Sequence, residues 1–159
     1  MINVLNKKLT TYFVLALIVS IGAFLRFYQL GVNPPSLTWD EVSMGYNAYS
    51  IYKTGADEYG IKFPISIRSF DDYKPALYTY FIIPFINMFG FNEFAVRIPS
   101  SLIGVLSILA IYFLVKELLQ KWDKKYQESI ALASTFFLAT SPWHLQFSRA
   151  AFEGNIGLF

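Results

Sequence analysis

The sequence contains no cysteine and a single histidine. The first absence removes disulfides, thiolate nucleophiles and cysteine-ligated metals. The second removes a histidine-based triad and a multi-histidine zinc site. Charge is scarce as well: 15% of the 159 residues are Asp, Glu, Lys or Arg, against about 25% in soluble domains. The net charge of +2 is too small to argue for a nucleic-acid partner. There are no repeats, no low-complexity tract and no Gly-rich phosphate loop. What is abundant is apolar: 55% of residues are hydrophobic, 19% are aromatic, and the mean hydropathy is +0.41. Such a composition excludes a disordered chain and argues against an ordinary soluble domain.

The apolar residues fall in blocks. Leu9–Leu25, Ile98–Val115 and Ser129–Ser148 contain no charge, and as helices each covers about 25–30 Å, the thickness of a bilayer core. They predict three spanning helices over about residues 9–27, 98–116 and 129–148. Small residues at Ser20-Ile21-Gly22 make a cleaved signal peptide the rival for the first, although its apolar run is longer than such peptides use. A fourth block, Ala76–Phe91, is short and holds Pro84 and Asn87.

The lysines decide how that block is read. Lys7 and Lys8 precede the first span, and Lys116, Lys121, Lys124 and Lys125 crowd the loop after the second. Positive-inside bias places both sets in the cytoplasm, so an even number of crossings separates them. The Ala76–Phe91 block therefore does not cross. It is expected to form an interfacial helix that starts at Pro75 and stops at Gly90. The expected fold is an all-α membrane protein, with three transmembrane helices plus two interfacial helices in a large first external loop, about residues 28–97. Three spans make a poor bundle alone, and the last five residues read as the start of another apolar segment. Residues 1–159 are thus expected to be the N-terminal part of a longer multi-pass protein.

The external loop carries the chemistry. Thr38-Trp39-Asp40-Glu41 fits a capping box, and Val42, Tyr46, Tyr49 and Tyr52 follow at helical spacing before Gly55 supplies a stop. Acids in a first helical turn are favoured by the helix dipole, which explains most such pairs without catalysis. Here the pair sits just beyond a span, beside Trp39 and two prolines, which also makes it a site candidate. Lys74, Arg97 and Arg149 fall on the same side. Singly, each reads as a cation snorkelling to lipid headgroups. With Asp40, Glu41 and Glu153 they describe a site for an anionic lipid headgroup and a polar acceptor. His144, after Pro142-Trp143, reads as a packed interfacial residue before it reads as a ligand or a base.

The order of these elements resembles the N-terminal part of the polytopic GT-C glycosyltransferases, within them the protein O-mannosyltransferase and lipid A aminoarabinose transferase group. The resemblance is carried by Trp39-Asp40-Glu41, by Tyr73-Lys74-Pro75-Ala76-Leu77-Tyr78, by Phe89 through Pro99, and by Ser141-Pro142 through Ser148-Arg149-Ala150-Ala151-Phe152-Glu153. It implies transfer of a sugar from a polyprenyl-phosphate donor to a protein, lipid or glycan acceptor at the outer face of the cell membrane. By the same resemblance Asp40 activates the acceptor hydroxyl with Glu41 as its partner, and Lys74 and Arg97 serve the donor phosphate. Glu153 stands where the family has its second acid, often an aspartate. Many relatives carry a second proline where this chain has Ala76, and the family's enzymes are several hundred residues longer. No cofactor is certain, and a divalent metal is left open. The competing classes are a transporter or flippase of lipid-linked intermediates and a non-catalytic membrane scaffold. The lack of charge within the spans argues against transport.

Overall fold

The computed structural model describes residues 2–158, and its elements run in this order. Helix α1 covers Ile2–Phe27 and helix α2 Trp39–Thr54. A hairpin of strands β1 (Ser66–Ser69) and β2 (Asp72–Pro75) leads into α3 (Leu77–Phe89). Then come α4 (Glu93–Leu118), α5 (Lys124–Thr140), α6 (Pro142–Arg149) and the short α7 (Gly154–Leu158).

Among the described residues, two helices are long and apolar enough to cross a membrane: the Lys8–Phe27 part of α1, and α4. The predicted segments Leu9–Leu25 and Ile98–Val115 lie inside them. Side-chain packing fixes the directions of the three long helices. Leu15, Tyr112 and Ala131 meet at one level, and Ile18, Ile108 and Ala139 at the next. Moving up α1 therefore moves down α4 and up α5, so α4 runs antiparallel to the other two. Small residues make the close approach that helices without a hydrophobic drive between them require. Gly22 faces Ile108 and Ala139, and Gly104 faces Ser148 and Arg26. Outward-facing Leu9, Phe13, Phe24, Leu106, Phe113 and Phe137 stay exposed, which is the pattern a lipid-facing surface needs.

The third predicted span requires correction. Residues 129–148 are not one helix: α5 ends at Thr140, and α6 starts afresh at Pro142, with Ser141 between them accepting from the His144 N–H. Pro142 has no N–H to give the carbonyl four residues back, which is that of Leu138. Arg26 takes over. Its Nη1 donates to Ala139 O at 3.1 Å and to Gly22 O at 2.8 Å, and its Nη2 to Leu138 O at 3.4 Å. The same Nη2 lies 2.7 Å from His144 Nδ1. An arginine can only donate, so His144 Nδ1 is the acceptor and its ring is a packed partner of Arg26. At the opposite end, Glu128 receives Tyr112 Oη at 2.7 Å and Lys116 Nζ at 2.7 Å, tying α4 to α5 where the lysines gather.

All remaining elements cap the end of the bundle where α1 and α5 finish and α4 begins. The expected capping box opens α2, and Gly55 closes it at φ 75°, where a side chain would be strained. One face of α2, with Met44 and Ala48, packs on Tyr78, Ile82 and Ile86 of α3 and on Ala95 and Val96 of α4. The aromatic stripe of Tyr46, Tyr49 and Tyr52 forms the other, exposed face. The interfacial block is a helix as expected, but its start is later: Pro75 is the last residue of β2, and α3 begins at Leu77. The hairpin itself was not foreseen. It pairs Ser66 with Pro75 and Ser69 with Asp72, leaving Phe70 and Asp71 as the turn.

Candidate functional site

The hairpin matters because of the register it imposes. Successive strand residues point to opposite faces, and in β2 only Lys74 is buried. Its ammonium lies 3.1 Å from Asp40 Oδ1, 3.4 Å from Asp72 Oδ2 and 3.6 Å from Glu153 Oε1. Asp40 comes from the first turn of α2, Asp72 from the start of β2, and Glu153 from the segment joining α6 to α7. Three elements far apart in sequence thus place three carboxylates around one lysine. Burial opposes the charge on Lys74, but the hydrogen bond it donates to Asp40, the nearby Glu153 charge and the further contacts with Asp40 and Asp72 outweigh it and raise its pKa. Lys74 therefore keeps its charge at neutral pH. The Asp40 side chain remains 51% exposed, so it is open to a substrate. Glu153 Oε2 is buried with no hydrogen-bond partner among the described residues.

The second group is closed. Glu41 and Arg97 are fully buried. Arg97 Nε donates to Glu41 Oε1 at 2.8 Å, and Nη2 to Glu41 Oε2 at 3.3 Å and Ser36 O at 2.7 Å. Arg97 Nη1 donates to Leu30 O at 3.2 Å and Pro34 O at 2.7 Å. A guanidinium has five N–H donors, and every one of them is used. Glu41 is as well supplied, receiving the backbone N–H of Thr38 at 2.8 Å and of Ala151 at 2.9 Å. Burial would raise the Glu41 pKa, but the hydrogen bonds from Arg97, Ala151 and Thr38, with the Arg97 charge, hold it below the ordinary carboxylate value.

Arg149 does a similar task nearby. Its Nη1 donates to the carbonyls of Leu25 and Arg26, and its Nη2 to those of Tyr28 and Asn33. It thereby satisfies carbonyls left over at the end of α1. Of the six residues expected at the site, Asp40, Lys74 and Glu153 are brought together, with Asp72 as an unforeseen fourth. Glu41, Arg97 and Arg149 stand in the wall behind them, with their polar atoms turned to the protein. Asp72 precedes Lys74 by two residues, the spacing of one strand face, and only recognition of the strand would have singled it out. Among the described residues, no group of three His, Cys, Asp or Glu side chains is arranged to hold a metal ion. The space between the three carboxylates is taken by the Lys74 ammonium.

The stretch containing Lys74, Arg97, Arg149 and Glu153 also decides the family. Residues 73–158 match the family model of the dolichyl-phosphate-mannose-protein mannosyltransferases. The chain belongs to this family. It is accordingly a membrane glycosyltransferase, mostly helical as the run of its apolar blocks predicted. No curated protein and no solved structure matches the chain. The mannosyltransferase match begins at Tyr73, inside the strand that carries Lys74, and ends past Glu153, so the lysine and Glu153 lie inside it and Asp72 falls just before it. Asp40 lies before it.

Proposed function

We propose that this mannosyltransferase-family protein moves a sugar from a polyprenyl-phosphate donor to an acceptor hydroxyl on the extracytoplasmic side of the membrane. The observation that carries the reading is the pair Lys74–Asp40: an ammonium 3.1 Å from a half-exposed carboxylate, at the end of the bundle remote from the lysine-rich loop. In the reaction the acceptor oxygen bonds to the anomeric carbon as its proton passes to Asp40. The bond from that carbon to the phosphate oxygen breaks, and the lipid phosphate leaves with the electron pair. Asp40 contributes as general base. Lys74 stabilises the charge that grows on the leaving phosphate, and such stabilisation is commonly the largest electrostatic part of catalysis.

Within this reading Asp72, the most exposed of Lys74's three carboxylate contacts, is the one a phosphate oxygen displaces. Glu153 holds the lysine from the other side. Glu41, Arg97 and Arg149 act on the site through the frame and not on the substrate. Arg97 with all donors filled has none for a phosphate, and Glu41 ties α2, which carries Asp40, to Ala151, two residues before Glu153. The protein would cross the membrane more than once, through α1, α4 and, with its carbonyl end capped by Arg26, α5.

Two measurements test the proposal. Sugar transfer should release the lipid monophosphate mole for mole. Release of a lipid diphosphate or of a nucleotide would contradict it. For orientation, single cysteines are introduced into this cysteine-free chain at Ile65, which is 91% exposed on the loop before the hairpin, and at Lys124. An impermeant maleimide applied to intact cells should label position 65 and reach position 124 only after permeabilisation. The reverse pattern would put the site in the cytoplasm.

A further inference from the structure

Two exposed rings stand beside the Lys74 cluster. Trp39 immediately precedes Asp40 and Phe70 forms the turn of the hairpin that presents Lys74, and their centroids lie 5.5 Å apart at 64°. Trp39 is 76% exposed and Phe70 60% exposed. Phe70 also has φ 56°, a left-handed conformation that Gly, Asn and Asp adopt readily and a bulky residue does not. Neither burial nor turn chemistry therefore explains a phenylalanine at this position. Insertion into lipid does not explain it either. The neighbouring Asp71 and Asp72 side chains are 98% and 74% exposed, and carrying ionised carboxylates into hydrocarbon beside the ring is costly. A ring pair held in water between carboxylates suits a ligand with one apolar face and a rim of hydroxyls.

We propose that Trp39 and Phe70 form the platform on which a hexose ring rests beside the Lys74–Asp40 pair. The C–H face of the sugar lies on the rings, and its hydroxyls reach toward the carboxylates of Asp40 and Asp72. The inference rests on the transfer reading above, in which Lys74 meets the lipid phosphate. A hexose at this place has two sources, the donor sugar or a glycan acceptor, and the chemistry of recognition is the same for both.

Binding of three probes to the purified protein in detergent separates the cases: a short-chain isoprenyl phosphate bearing mannose, the same isoprenyl phosphate without sugar, and a methyl mannobioside. The variants are Trp39→Ala and Phe70→Asn, the second chosen because Asn keeps the turn conformation while removing the ring. If the platform holds the donor sugar, both variants weaken the mannosyl lipid by about three- to tenfold, the size expected of an aromatic contact, and leave the sugarless lipid unchanged. If it holds a glycan acceptor, the loss falls on the mannobioside instead. Wild-type affinity for both sugar probes overturns the platform, and so does an equal loss for mannosyl and sugarless lipids. Lys74→Ala tests the underlying reading separately. It should weaken both lipid phosphates and spare the mannobioside, and failure there leaves a result on the platform standing by itself.

Discussion

Asp40→Asn should lower kcat for sugar transfer by about 10²–10⁴, the usual cost of losing a general base, while the protein folds and binds donor. The asparagine keeps the shape of the side chain, and the capping box of α2 depends on Thr38 and Glu41, not on Asp40. The contact with Lys74 loses its charge, but Asp72 and Glu153 remain to hold the ammonium. The rival account is that Asp40 only favours a helix start. An exposed charge in that role is worth about 0.3–1 kcal/mol of stability, and its loss would leave kcat near that of the wild type. Asp71→Asn is the matched control. Its carboxylate is 98% exposed and pairs only with Arg68 on the surface, so both rate and melting should stay unchanged. The check is a comparison of single-turnover rates for the two variants at saturating donor.

Arg97→Ala should have the largest effect on stability, a loss of about 3–5 kcal/mol, because it leaves the Glu41 carboxylate buried without its counter-charge. Folded domains hold only about 5–15 kcal/mol in total, so the variant should melt far below the wild type or fail to accumulate. Three backbone carbonyls, those of Leu30, Pro34 and Ser36, lose their donors at the same time. Arg97→Lys should rescue little, since an ammonium has three donors on a single nitrogen where the guanidinium spreads five. The sign of the pH dependence follows from Glu41. Its folded pKa lies below the ordinary value of 4.5. The stabilisation is therefore complete above pH 4.5 and disappears only as pH falls through the folded value. The wild type should thus show no loss from this pair near neutrality. Thermal melts in detergent at pH 7 check the difference. A melting point for Arg97→Ala close to that of the wild type would mean that the pair does not hold the frame, and would reopen a direct role for Arg97 at the donor phosphate.

Both effects concern residues that stood out in the sequence, yet their roles separate only in three dimensions. The long apolar helices around 9–27 and 98–116, the capping box at Thr38–Glu41 and the stops at Gly55 and Gly90 are legible, because each follows from local hydropathy or local backbone chemistry. The break after Thr140 was visible in principle as Pro142. A hydropathy window averages over that proline and is blind to the carbonyl it strands. Arg26, which satisfies that carbonyl, looked like nothing more than the end of a span. The hairpin escaped for a different reason. Its turn is Phe70-Asp71, without the Gly or Asn that announces a tight turn, so the sequence pattern starts a helix at Pro75 where the fold has the end of a strand. Nor does a linear pattern show pairing across 56 positions. Glu41 and Arg97 carry the charges a site would need, and the fold turns those charges on each other.

The central claim is that a sugar leaves a lipid phosphate held by Lys74, and donor titration tests it most directly. The measurement uses polyprenyl-phosphate hexose labelled in the sugar, with the protein in proteoliposomes and a hydroxyl acceptor, and follows transfer against donor concentration. The wild type should move label from lipid to acceptor. Lys74→Ala should both raise the donor KM and lower kcat, because a cation at the phosphate acts in the ground state and more strongly in the transition state. Transfer by Lys74→Ala with wild-type KM and kcat, or wild-type protein that leaves the label on the lipid and takes sugar from a nucleotide donor instead, would contradict the account.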